Sequence, residues 1–138
     1  MLIYNCSSDR PGPSFLASIH LRVATQLKLH GRSEVPALFF DHVMFCPEMT
    51  YTDDRFKGGI WFPPDPADLT VHRELASAWS SIVPSFPESK IHVLPSIEHA
   101  VKAIERIGSS ERVKVLVTGC PTLVGGMIEV AGLVSVAM

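Results

Sequence analysis

The sequence predicts an α/β domain: a three-layer sandwich in which helices cover both faces of a mainly parallel sheet of about four strands. Two observations carry that reading. Short, β-rich apolar runs alternate with longer segments whose apolar residues recur at helical spacing, the pattern of consecutive βαβ units with right-handed crossovers. The stretch Lys114–Gly126, KVLVTGCPTLVGG, is the second: a strand, a glycine-bearing turn and the start of an apolar helix. Val113, Val115, Leu116 and Val117 form an apolar run broken only by Lys114, which predicts a strand buried on both faces. It drives into the turn Thr118-Gly119-Cys120-Pro121 and an apolar helix.

The elements follow in order. Leu2–Asn5 reads as the first strand, ended by Cys6-Ser7-Ser8-Asp9 and the turn Arg10–Pro13. Ser14 is the expected N-cap of a helix running to about Leu29, because Leu16, Ile19, Val23 and Leu27 keep helical spacing. His30-Gly31-Arg32 stops it, and His42–Cys46 is the second strand. Pro47–Pro66, with the loop taken to residue 67, is too long for a plain connection, which predicts a functional or disordered segment. Its aromatics Tyr51, Phe56, Trp61 and Phe62 argue that part of it packs. Asp68 is the expected cap of a helix whose apolar face is Leu69, His72, Leu75, Ala76, Trp79 and Val83. Ile91–Leu94 is the third strand, and Ser96 caps a helix bearing Ile97, Ala100, Val101, Ile104 and Ile107. The strand at 113–117 and a C-terminal helix complete a Rossmann-like architecture.

Bulk properties narrow the function classes. The 138 residues predict one domain, 1–138, able to bury its own core without staples. A hydrophobic content of 46 % predicts apolar surface left for a partner, most simply a second copy in a homodimer. A net charge of −2, with Lys and Arg scattered, gives no footprint for nucleic acid or an anionic membrane. The apolar C-terminal run carries Glu129 and falls short of a bilayer span, so it reads as buried helix. Three cysteines without paired spacing predict free thiols in a reducing, cytoplasmic setting. Nothing in the N-terminal residues resembles a secretory signal.

Open α/β sheets place their sites at the carboxyl ends of the strands. Polar groups expected there are Asn5, Cys6, Ser7, Thr50, Thr118, Cys120 and Thr122. Cys120 has two readings: a thiol activated at the start of the last helix, or a small buried hydrophobe. Cys46 reads as the latter. Cys120, Thr122 and Asn5 are the candidate catalytic residues. Cys6, Ser7, Thr50, Tyr51, Trp61, Phe62 and Thr118 are candidates for binding a small molecule, with the aromatics as one wall. Asp53, Asp54 and Glu48 can supply a carboxylate pair, but adjacent aspartates in a loop are commonly turn formers. His42 and His92 fall at strand starts, the end away from a site. His72, inside an apolar helix face, reads as a core or interface histidine. No C-x₂-C or H-x₃-H spacing exists, so no metal is expected.

Four segments carry a resemblance: LIYNCSSDR (2–10), FDHVMFCPEMTYTD (40–53), IHVLPSIEHAVKAIERI (91–107) and VLVTGCPTLVGG (115–126). In that order they resemble the C-terminal domain of the folylpolyglutamate synthases, within the Mur-ligase family. The resemblance implies the α/β fold and an ancestry among enzymes that join glutamate to folate with ATP and magnesium. It also implies a phosphate-binding loop of the G-x-x-G-K-[ST] kind, which occurs nowhere in these 138 residues. Where the family usually has Ser and His after the last strand, this chain has Cys120 and Thr122. Where its first strand runs into glutamines, this chain has Cys6 and Ser7. The framework is kept and the site end is rewritten. The expectation is a truncated, stand-alone domain, not an ATP-dependent ligase. It would bind a small organic molecule without a cofactor, and speed a cyclisation or isomerisation by holding its shape. The competing expectation is a non-catalytic module that pairs with another protein, such as a full-length or split ligase.

Overall fold

The computed structural model describes residues 1–6, 11–50, 69–108 and 112–133. Four three-residue strands, β1 (Leu2–Tyr4), β2 (Val43–Phe45), β3 (Ile91–Val93) and β4 (Leu116–Thr118), form one sheet in the order β3-β2-β1-β4. Every pairing is parallel, with Leu2 opposite both Val43 and Leu116, and Val43 opposite Ile91. The helices are α1 (Gly12–Leu29), α2 (Thr70–Ile82), α3 (Ile97–Ile107) and α4 (Pro121–Val130), with 3₁₀ turns at Pro36–Leu38 and Glu88–Lys90.

Alternation along the strands builds the three layers. Leu2, Tyr4, Val43 and Phe45 pack with Leu16 of α1 and Leu75 and Trp79 of α2 on one face. Ile3, Met44 and Cys46 pack with Ile97, Ala100 and Ala103 of α3 and Leu123 and Met127 of α4 on the other. The predicted three-layer α/β sandwich is therefore what the chain forms. Both inner strands are covered on each side, and every residue of β1 and β2 is at most 2 % exposed.

The last strand departs from expectation. β4 is shorter than the apolar run 113–117 and lies at the sheet's edge, with Leu116 47 % exposed. The connection through α3 carries the chain from the β3 edge across the whole sheet, so β4 gains only β1 as a neighbour. An edge strand rich in valine has the same sequence signature as a central one.

Helix ends depart too. α1 begins at Gly12, with Pro11 at the cap position and Pro13 inside the first turn, not at Ser14. Proline fits there because its missing N–H has no intrahelical use. α2 starts after Leu69, and the expected cap Asp68 lies outside the described residues. Ser96 caps α3 as expected, accepting from the His99 N–H at 3.3 Å. The C-terminal helix stops at Val130: Gly132 takes φ +67° and Leu133 N–H bonds back to Ile128 at 2.9 Å, a Schellman ending like the one after α1.

Candidate functional site

The strand order creates a switch point between β1 and β4. From β1 the chain leaves through α1 towards β2, whereas β4 leaves through α4 on the opposite face. At such a point the carboxyl ends of two neighbouring strands diverge and open a crevice. Asn5 sits just past β1, and Gly119-Cys120 just past β4. The two turns touch. Gly119 has φ +115°, a conformation L side chains rarely adopt, and a Cβ at this position would overlap the Asn5 carbonyl oxygen.

Asn5 sits at the centre of this switch point. It is 3 % exposed, yet both ends of its amide are engaged. Oδ1 lies 3.0 Å from His72 Nε2, and Nδ2 donates to Cys120 Sγ at 3.9 Å, a long bond of the kind sulfur accepts. This orientation of the amide makes His72 Nε2 the donor to Oδ1. His72 reaches the site from α2, where it is buried on the same helix as Leu75 and Trp79. The helix face read from its periodicity is correct, but the histidine on it meets the end of β1.

Cys120 occupies the cap position of α4, and Pro121 opens the helix. Burial pushes its thiol up, opposed in part by the Leu123 N–H and the Asn5 amide and reinforced by Glu48 and Cys6. Of the two readings of Cys120, the activated thiol needs the helix start to lower its pKa, and desolvation outweighs that effect. Cys46, fully enclosed, is pushed up to about 12 by burial, with Cys120 adding to it. Nor can His72 serve Cys120 as a base, because Asn5 stands between them and an amide does not relay a proton while keeping its identity. The three residues form a hydrogen-bonded row, His72–Asn5–Cys120, suited to holding a neutral thiol and an amide in fixed directions.

The remaining predicted residues fall in several places. Cys6 is buried beside Gly12, on the α1–α2 face. Thr118 closes β4 half-buried, and Thr122 is exposed in the first turn of α4. Thr50 accepts the Glu98 N–H at 3.0 Å through its carbonyl, and Met49 accepts the Ile97 N–H at 2.8 Å. The start of the long loop is thus tied to the start of α3. Ser7, Tyr51, Trp61 and Phe62 lie outside the described residues, as do Asp53 and Asp54. An open groove of about 640 Å³ lies elsewhere, between the later turns of α1 and Phe39. Among the described residues no group of three or more His, Cys, Asp or Glu side chains is placed to hold a metal ion. No helix among them is long and apolar enough to cross a membrane.

Sequence reasoning missed His72. The available signal was a polar residue set into an apolar helix face, which must find a buried partner. Only the fold reveals that the partner is Asn5.

The chain is similar to the folylpolyglutamate synthase of Neurospora crassa, with 32 % identity over 99 residues. Those residues make up 66 % of this chain and 18 % of that protein, so the chain spans less than a fifth of its relative's length. No family model and no solved structure matches the chain.

Proposed function

We propose that the chain is a folylpolyglutamate synthase-like domain that binds a small organic molecule at the carboxyl ends of β1 and β4. The observation that carries this reading is Asn5, buried at the switch point and held between His72 and Cys120. A buried amide with both ends fixed presents its remaining hydrogen-bonding capacity in set directions, the usual means by which a mostly apolar site orients a ligand. Chemistry at this site is cofactor-free and works by positioning, as in a cyclisation or isomerisation. Cys120 acts in it as a neutral hydrogen-bonding thiol, with Thr118 and Thr122 at the mouth. The similarity to folylpolyglutamate synthase supports a shared framework. The absence of a G-x-x-G-K-[ST] loop from these residues is why ATP-driven ligation is not the activity proposed for the domain itself.

A thermal-shift series tests this, with Mg-ATP, tetrahydrofolate, glutamate and a fractionated metabolite extract offered separately. A ligand at a hundred times its dissociation constant adds about 2.7 kcal/mol of stability. The expected result is a shift with an extract fraction that Asn5→Ala removes. A shift with Mg-ATP or tetrahydrofolate would replace this reading with a ligase-type one.

A second reading rests on a different observation. Leu21, Leu29, Val35, Leu38 and Phe39 are all exposed large apolar residues between positions 21 and 39. They suit a module that pairs with another protein, a full-length or split ligase among them. No shift with any fraction, together with capture of a purified full-length synthase, would favour it.

A further inference from the structure

Away from the carboxyl ends of β1 and β4, two imidazoles face each other. His42 directly precedes β2 and His92 is the middle residue of β3, so the pair spans the junction of an inner strand with an edge strand. His42 Nδ1 and His92 Nε2 are 3.0 Å apart, while the ring centroids are 5.2 Å apart with planes inclined by 29°. Nitrogens this close on rings whose centres are this far apart mean that the rings meet end to end. One nitrogen therefore donates its N–H along the line to the lone pair of the other. A metal ion does not fit this arrangement, because chelation needs both lone pairs to converge on a third point. A single proton does.

We propose that His42 and His92 form an acid-sensitive clasp, in which one shared N–H ties edge strand β3 to β2 and a second proton opens it. Doubly protonated rings present N–H to N–H, so the bond is lost and two positive charges oppose each other. The clasp sits where its opening matters. The His42 carbonyl accepts the Leu2 N–H at 2.9 Å, so β1, β2 and β3 all meet at this corner.

Burial and most of the surrounding charges act in one direction. Burial holds His42 below the usual histidine range, Lys90 and the amino group at Met1 push the same way, and Asp41 opposes them. His92 is lowered by burial and then by His42 itself. Both groups thus stay neutral in the fold at pH values where the unfolded chain, titrating near 6.5, already takes up protons. The clasp's contribution is complete above about pH 6.5 and drains away as pH falls through the lowered folded values.

Two measurements test the clasp. The first is unfolding stability between pH 7.5 and 5 for the wild type, His42→Gln and His92→Gln. Glutamine keeps a hydrogen-bonding side chain and does not titrate. The wild type should lose stability on acidification with a slope about one proton steeper than either variant. The second needs no variant: ¹⁵N NMR of the imidazoles should show one N–H shared between the rings at pH 7 and a coupled titration below the ordinary range. Equal slopes in all three proteins, or two rings titrating independently near 6.5, would overturn the proposal.

Discussion

Asn5, Cys120 and Gly119 are three residues whose roles come from contact with one another, and each supports a prediction at its own scale. Replacing Asn5 by alanine removes the acceptor of the buried His72 Nε2–H bond. The expected loss is about 1–3 kcal/mol in urea unfolding, the range for removing one partner of a buried polar pair. Gly119→Ala should be more severe, at least about 3 kcal/mol, because backbone strain at φ +115° adds to a clash with a main-chain oxygen that cannot rotate away. The thiols can be tested chemically. With its pKa raised by burial, Cys120 should react with iodoacetamide more slowly than free cysteine at pH 7.5 and accelerate above pH 9. Cys46 should stay unlabelled until the protein unfolds. Fast labelling of Cys120 at neutral pH would restore the activated-thiol reading.

At the scale of elements, α3 shows how local and distant capping combine. Ser96 is fully buried, receives the His99 N–H and contacts His99 Nδ1 at 2.9 Å, while the loop after β2 supplies the Met49 and Thr50 carbonyls to the Ile97 and Glu98 N–H groups. Ser96→Ala should cost about 1 kcal/mol, seen as a Tm lowered by roughly 3–6 °C, because only one of the helix's first donors loses its partner. A loss several times larger would mean that the serine also anchors the loop. The serine cap was legible in the sequence, because a small polar residue stood directly before an amphipathic run. The carbonyls of residues 49 and 50 were not, since a backbone acceptor leaves no trace in residue type. The same limit explains β4. Its valines announced a strand, but whether a strand is central or at an edge depends on the order in which connections cross the sheet. His72 illustrates it once more: periodicity placed it on the buried face of α2, and topology alone put Asn5 opposite it.

For the whole molecule, the distribution of apolar surface argues for self-association. Among the described residues, five of the eight large exposed hydrophobics lie between positions 21 and 39, on the later turns of α1 and the segment leading to β2. Phe39, one of the five, lines the groove of about 640 Å³ together with Val23 and Leu27. Scattered single residues of this kind need no explanation, but a concentration within nineteen consecutive positions, 21–39, leaves apolar area in water that a second copy can remove. A two-fold contact is the simplest arrangement, because one patch then serves both partners. Light scattering at tens of micromolar protein should therefore give twice the 15.1 kDa chain mass. Leu29 and Leu38 are 72 % and 60 % exposed, so Leu29→Glu and Leu38→Glu remove little from the packing within one chain and should leave its stability nearly unchanged. Either change should return the mass to that of a single chain, since a carboxylate buried in an apolar contact without a partner is costly. A wild-type mass of one chain at every concentration would show that this surface does not pair with itself, and would shift weight to a different protein partner.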